Sequence, residues 1–389
     1  MAWRAKARPT DPRHFRRFIH NNESLKSERL GKAEHVPIAL ITQITSQPYR
    51  LPLRQPWQTA RGQWRHREGW LLGLTAGGLQ GYGDCAPLPA AGTETPAAAS
   101  RALEQLPSLL HGQPAAQALS LLTAALPATP AVRFAVESAL LDGLAQRAGL
   151  PLRRYLQPDS RAHVRVNAML GALSELRQAA WQGAIAQGYD VLKLKVGVGT
   201  AAREYEQLVA LAEQLPAGVH LRLDANAAWD WATATQMLAA LRDLPIEAVE
   251  EPLAEPHADA LARLQARVPF PLALDESLQQ GNWLADLQAL PVRRLVLKPM
   301  VIGGLQATLA IAEAARAAAV EVVLTSVFES AAGLWPSLQL AATLPGKQAH
   351  GLATQDWLAV DIGMPPQIAQ GWVELPQRSG HGFRPYPVA

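Results

Sequence analysis

The chain has 389 residues, 49% hydrophobic and 18% charged, the make-up of a soluble globular protein with room for a large domain beside a smaller one. No apolar run approaches the roughly 20 residues that cross a bilayer, and the single cysteine, Cys85, excludes an intramolecular disulfide framework and a Cys-rich zinc site. The net charge of +3 comes from the first 36 residues, which hold nine Lys or Arg against four Asp or Glu, so the slightly acidic remainder excludes a nucleic-acid footprint on the body.

Residues 1–36 are polar, basic and without periodicity, and read as a disordered extension. They contain no apolar core of a secretory signal, so a cytoplasmic protein without a membrane partner is expected. Residues 37–150 form an α+β unit. "IALITQITSQPYRLPL" reads as a strand and "GWLLGLTAGGLQGYGDCAPLP" as a hairpin with glycine-rich turns. Helical patterns follow at 95–110, 115–126 and 131–147, the last stopped by Gly149.

Residues 151–360 follow a different rule. Eight apolar runs alternate with amphipathic helices: "HVRVNAML", "DVLKLKVG", "VHLRLDAN", "IEAVEEP", "FPLALDES", "RRLVLKPM", "VEVVLTS" and "QAHGLAT". Continuous apolar strands separated by helices pair in parallel, and eight such units in about 200 residues predict a (β/α)8-type barrel of the α/β class. An open doubly wound sheet would need a glycine-rich phosphate loop, and "KVGVGTAARE" lacks the full fingerprint.

Five consecutive runs end in an ionisable residue: Lys195, Asp224, Glu250, Asp275 and Lys298, spaced by 29, 26, 25 and 23 residues. Each spacing is one strand–helix unit, so the five converge on one barrel mouth. Any one of them alone is as well explained as a helix cap. Five in succession are not, because isolated buried charges are costly. Three carboxylates from adjacent strands suit a hard divalent cation, which would act as a Lewis acid toward a substrate carboxylate. The flanking lysines are acid/base candidates, provided that a neighbouring cation lowers the pKa of the base. Lys193 shares a strand face with Lys195 and is expected to keep it deprotonated and to meet the substrate.

Together, "LKLKVG", "LRLDANAAW", "VEEP", "LDES" and "LVLKP…GG" resemble the enolase superfamily, in its muconate-lactonizing-enzyme-like branch. That resemblance implies a modified TIM barrel with an N-terminal α+β capping domain, to which about residues 360–389 contribute. It implies Mg²⁺ held by Asp224, Glu250 and Asp275, with Mn²⁺ as a substitute, and a small-molecule carboxylate as substrate. Lys195 and Lys298 become the acid/base pair, Glu251 a support behind the metal ligands, and Asn226 a neighbour of metal or substrate.

Within the branch, "GYGDCAPLP" and "LTSVFESAAGL" resemble the o-succinylbenzoate synthases, which implies an Mg²⁺-dependent dehydratase of menaquinone biosynthesis. Ser326, Ser330 and the backbone N–H groups around them would then meet an anionic substrate group. "HGLATQDWLAVDIG" carries Asp356 and Asp361 but no Asp-x-Asp, which lowers a dipeptide-epimerase reading without removing it. An N-succinylamino acid racemase and a catalytically inactive binding barrel also stay open. Arg61, with Arg65 and Arg67, is either a solvated basic loop or part of a loop closing over the mouth. Trp57, Trp64 and Trp70 line the pocket or pack the capping domain. Asp84 stands where many relatives have glutamate, a change expected to be neutral, and Cys85 reads as a small buried residue.

Overall fold

A computed structural model describes residues 39–59, 62–279 and 283–387. The extension over residues 1–36 and Arg61 lie outside the described residues, as does the side chain of Trp57.

Strands β1 (Ile41–Thr59), β2 (Gly62–Ala76) and β3 (Leu79–Cys85) form an antiparallel sheet in that order. β2 alternates, so that Leu72, Leu74 and Ala76 lie on one buried face. Gly77 and Gly78 join β2 to β3 with φ of 58° and 80°, the positive values that a tight hairpin turn needs. Helices α1 (Pro96–Leu110), α2 (Ala115–Ala125) and α3 (Pro130–Arg147) cover the sheet. The Thr95 hydroxyl caps α1 by accepting from Ala98 N at 3.2 Å. α3 packs so closely on β3 that a Cβ on Gly81 or Gly83 would lie 2.0 Å from a helix carbonyl. A short helix, α4 (Leu152–Leu156), leads to the second unit.

The expected first barrel run divides in two. β4 (His163–Arg165) leaves the barrel and pairs with β13 (Trp372–Glu374), itself paired with β12 (Ile368–Ala369). β5 (Ala168–Ala172) begins the parallel sheet. It continues through β6 (Val191–Lys195), β7 (His220–Asp224), β8 (Ile246–Glu250), β9 (Leu272–Leu274), β10 (Arg294–Leu297) and β11 (Glu321–Leu324). Helices α5 (Gln178–Ala186), α6 (Ala201–Ala212), α7 (Trp231–Ala240), α8 (Ala258–Gln265), α9 (Pro299–Ile302), α10 (Leu305–Ala317) and α11 (Ala331–Ala341) fill the crossovers and follow β11.

"QAHGLAT" is not an eighth strand but a two-residue stitch. His350 bonds to Arg165 O and Asn167 N at 2.8 and 3.0 Å, and Gly351 to Leu324 O and Ser326 N at 2.8 and 3.2 Å. These bonds join the two edges of a seven-stranded curled sheet. Burial, with Arg161, Arg222 and Arg294 around it, holds His350 down at about 3. Its neutral ring therefore accepts from Leu324 N at 3.0 Å and strengthens the stitch. The C-terminal segment returns to the capping unit, where His381 N donates to Asp142 of α3 at 2.8 Å. No helix among the described residues is long and apolar enough to cross a membrane.

The end of the barrel away from the strand C-termini is filled by charge rather than hydrocarbon. Glu247 lies 2.9 Å from Arg222 and 2.7 Å from Arg294, and Arg294 reaches Glu321 at 2.7 Å. Burial pushes Glu247 up, but Arg222 and Arg294 outweigh it and hold the carboxyl at about 2. A carboxyl depressed on folding stabilises above its unfolded value and loses that contribution as pH falls toward its folded one. Glu247→Gln, which removes the carboxylate shared by Arg222 and Arg294, should cost about 3 kcal/mol at pH 7. Urea unfolding should show the gap between variant and parent closing between pH 4.5 and pH 2; a gap constant with pH would refute the assignment.

Candidate active site

Parallel register places Lys195 beside Asp224 and Asp224 beside Glu250 as direct Cα partners on β6, β7 and β8. Adjacent strands lie about 4.8 Å apart, so these side chains have no room to ignore one another. Asp275 follows β9 directly and Lys298 follows β10, at the start of α9. All five residues singled out from the sequence therefore stand at strand C-termini, on one rim. The local backbone locks them there: Val196 N donates to Asp224 O at 2.9 Å, Ala225 N to Glu250 O at 3.0 Å and Glu251 N to Ala273 O at 3.0 Å.

The carboxylates of Asp224, Glu250 and Asp275 are only 4, 1 and 5% exposed, so each needs compensation. Lys193 supplies it for two of them, pairing with Asp224 at 3.0 Å and in direct contact with Glu250. Lys298 pairs with Asp275 at 2.5 Å and lies 3.6 Å from Glu276. Burial alone would raise Asp224, but Lys193, Lys195 and Lys298 outweigh it and hold its carboxyl below the usual range. Burial likewise pulls Lys193 and Lys298 down, and the carboxylates around each outweigh it and keep both ammonium groups protonated. Lys193 is thus bound into the carboxylate cluster, a different setting from that of a charge acting on Lys195 alone.

Two carboxylates outside the rim shape it. Glu251, at φ 45°, accepts from Asp275 N at 2.5 Å, from Ser277 N at 3.0 Å and from the Ser277 hydroxyl, which fixes the turn carrying Asp275. Glu204 of α6 is buried and takes the N–H groups of Gly197, Val198 and Gly199 at 2.7–2.9 Å, which folds the loop after Lys195. Asn226 lies exposed just past Asp224, with φ 44° and its N–H on Asp224 Oδ1 at 3.1 Å.

As the side chains stand, among the described residues no three His, Cys, Asp or Glu groups are gathered closely enough to hold a metal. The donor set nevertheless fits a hard cation: three carboxylates from neighbouring strands, all oxygen, with no sulfur or imidazole among them. The carboxylate oxygens now turn to lysine ammonium groups, so a cation would displace Lys193 from Asp224 and Glu250.

Residues 42–142 match the family model described as MenC, N-terminal domain, and residues 175–388 match the one described as Enolase C-terminal domain-like. The chain belongs to the enolase superfamily. An o-succinylbenzoate synthase from Thermosynechococcus vestitus is 37% identical over 59% of this chain and 67% of that protein. An N-succinylamino acid racemase from Thermus thermophilus is 30% identical over 85% of this chain and 91% of the racemase. Among solved structures, a dipeptide epimerase from Methylococcus capsulatus, complexed with Mg and the dipeptide L-Arg-D-Lys, superposes with a TM-score of 0.81. It is 27% identical, and the match covers 89% of this chain and all of the epimerase.

In this enolase-superfamily chain the loop after β11 departs from the sequence reading. Ser330 is fully buried and caps α11, accepting from Ala332 N at 3.3 Å. Its own N–H and hydroxyl go to Asp84. Val327 N goes to Glu329, Phe328 N to Ser326 Oγ and Ala331 N to Asp361. The N–H groups expected to receive a substrate anion are therefore already taken by carboxylates and a hydroxyl of the protein. Ser326 is 9% exposed and pairs with the Thr354 hydroxyl at 2.7 Å.

Arg67 is likewise no solvated loop residue, being 6% exposed and donating to the carbonyls of Phe328, Ala86 and Pro87. Trp64 and Trp70 are half-buried, and Arg65 is exposed. The sequence did not single out Glu329 or Glu204, and it left Arg67 between a solvated loop and a loop over the mouth. The available signal was Arg67 two residues from Gly69 on a strand whose neighbouring positions turn inward.

Burial pushes Glu329 up to about 7 from its ordinary 4.5, and Asp84 adds to the effect. A carboxyl raised on folding favours the native state below pH 4.5 and loses that contribution as pH rises through about 7. Glu329→Gln should remove this slope and leave the variant more stable than the parent at pH 8.5, by about 1–3 kcal/mol. Parallel stability curves between pH 4.5 and pH 8.5 would show that Glu329 does not titrate in this way.

Proposed function

We propose that this chain is an Mg²⁺-dependent o-succinylbenzoate synthase, which removes water from 2-succinyl-6-hydroxy-2,4-cyclohexadiene-1-carboxylate to give 2-succinylbenzoate. The observation that carries the reading is a rim of three carboxylates flanked by two lysines in a chain whose capping sequence, residues 42–142, matches the MenC N-terminal domain model. The likeness to the Thermosynechococcus synthase supports it.

Lys195, at the end of β6, is the base. Its amine nitrogen takes the proton from the carbon bearing the ring carboxylate, and the C–H electron pair moves into that carboxylate as an enediolate. The C–O bond on the adjacent ring carbon then breaks. The hydroxide leaves with the proton that Lys195 carries, giving water and an aromatic ring. Asp224, Glu250 and Asp275 would hold Mg²⁺, or Mn²⁺ in its place, which when bound would supply Lewis-acid stabilisation of charge on the substrate carboxylate. Lys298, kept protonated by Asp275 and Glu276, stabilises the enediolate by charge without moving a proton. Lys193 contributes charge beside Asp224 and Glu250. Asn226, exposed past the β7 end, and Arg61 are assigned to substrate contact.

A second reading, N-succinylamino acid racemase, draws support from the Thermus relative and from lysines on both sides of the carboxylates. A racemase needs an acid and a base on opposite faces of the substrate carbon, whereas the dehydration needs only Lys195. Purified protein should turn over the cyclohexadiene substrate and lose that activity in EDTA, regaining it with Mg²⁺. Lys195→Ala should cost at least about 100-fold in kcat. Lys298→Arg should leave measurable dehydration but no racemisation of an N-succinylamino acid. Metal-independent turnover, or none at all, would sink the synthase reading.

A further inference from the structure

The loop that follows β11 is held from outside the barrel. Arg67, on β2, donates through Nε to Phe328 O at 3.1 Å while its other nitrogens bind Ala86 O and Pro87 O. Asp84, on β3, accepts the Ser330 N–H at 2.8 Å and the Ser330 hydroxyl at 2.9 Å on one oxygen. Its other oxygen takes the Tyr49 hydroxyl, from β1, at 2.5 Å. Two strands of the capping sheet thus grip a loop more than 240 residues away in sequence, and the third braces Asp84.

Between the two grips the loop adopts a shape it would not keep by itself. Phe328 has φ of 62°, a left-handed conformation that bulky L residues disfavour. Its ring meets Trp357 edge-on, with centroids 5.9 Å apart, and Ser326 bonds Thr354, so the loop is also tied to the segment after the His350–Gly351 stitch. A planar guanidinium that serves four carbonyls has no equivalent in lysine. Among the described residues, the hydrogen bonds of Arg67 and Asp84 go to this loop and to the capping strands, and none goes to the five rim residues.

We infer that Arg67 and Asp84 are positioning residues: they set the shape of residues 325–330 at the barrel mouth, and through it the grip on substrate rather than the proton-transfer step. The inference rests on the reading of the mouth as the active site. Specificity at this wall is then written partly in the capping sheet, through groups that never touch the substrate.

Amide hydrogen exchange and steady-state kinetics of Asp84→Asn, Arg67→Lys and Tyr49→Phe test this. In Asp84→Asn, exchange in a peptide spanning 325–331 should quicken at least tenfold while a β7 peptide, 219–226, stays unchanged. KM for the cyclohexadiene carboxylate should rise roughly tenfold with kcat within about threefold, the size expected for losing one hydrogen bond to a charged group. Arg67→Lys should behave alike, and Tyr49→Phe should move both readouts in the same direction by less. Unchanged loop exchange, or a fall in kcat with KM unmoved, would overturn the inference. Should Asp84→Asn not fold, Tyr49→Phe decides: it removes one hydroxyl, and unaltered exchange and KM there would refute the role. A parent protein without turnover would end the synthase reading, while the exchange arm would still decide whether the capping sheet sets the loop.

Discussion

Everything at the barrel mouth follows from the parallel pairing of β6, β7 and β8, which sets Lys195, Asp224 and Glu250 side by side. Buried carboxylates at neighbouring strand ends repel one another and cannot stay ionised without positive charge close by. Lys193 meets that demand between Asp224 and Glu250, while burial and Glu276 still push the Asp275 carboxyl up despite its pair with Lys298. A divalent cation answers the same demand with the same oxygens. The two lysines in the strand "DVLKLKVG", an oddity in an apolar run, both stand at this cluster: Lys193 as counter-charge to Asp224 and Glu250, and Lys195, the proposed base, beside Asp224.

The opposite end of the barrel solves a related problem differently. There Glu247, Arg222, Arg294 and Glu321 neutralise one another, and Arg222 also lies 3.8 Å from Glu250. The rim carboxylates thus rest on a charged base whose geometry is fixed by paired side chains. The charged groups at the two barrel ends thus stand in pairs or chains of pairs, whereas the buried Glu204 and Glu251 are met by backbone N–H groups and a hydroxyl.

What the sequence disclosed and what it hid have physical reasons. The five ionisable strand ends were legible because each closes an apolar run and recurs at the length of one strand–helix unit. The helices at 96–110, 115–125 and 130–147 were legible from periodicity and from their Pro, Thr and Gly punctuation. The stitch at His350 and Gly351 was not, since closure there takes only two residues and leaves no strand pattern. The leading part of "HVRVNAML" pairs with a segment some 200 residues later, a choice no local pattern encodes. The partners of Ser330 and Arg67, Asp84 and Phe328, were hidden for the same reason: they come from the other unit of the chain. A hydroxyl at a helix start looks alike whether it faces a ligand or a buried aspartate.

The central claim is that the strand-end carboxylates act as one cation site in competition with Lys193. Calorimetric titration of the purified chain with Mg²⁺ tests it most directly, because it needs no substrate. One Mg²⁺ per chain should bind, at least about 100-fold more weakly in Asp224→Asn, a variant that removes one ligand charge, and more tightly in Lys193→Ala. Absence of Mg²⁺ binding in the parent, or undiminished affinity in Asp224→Asn, would contradict it.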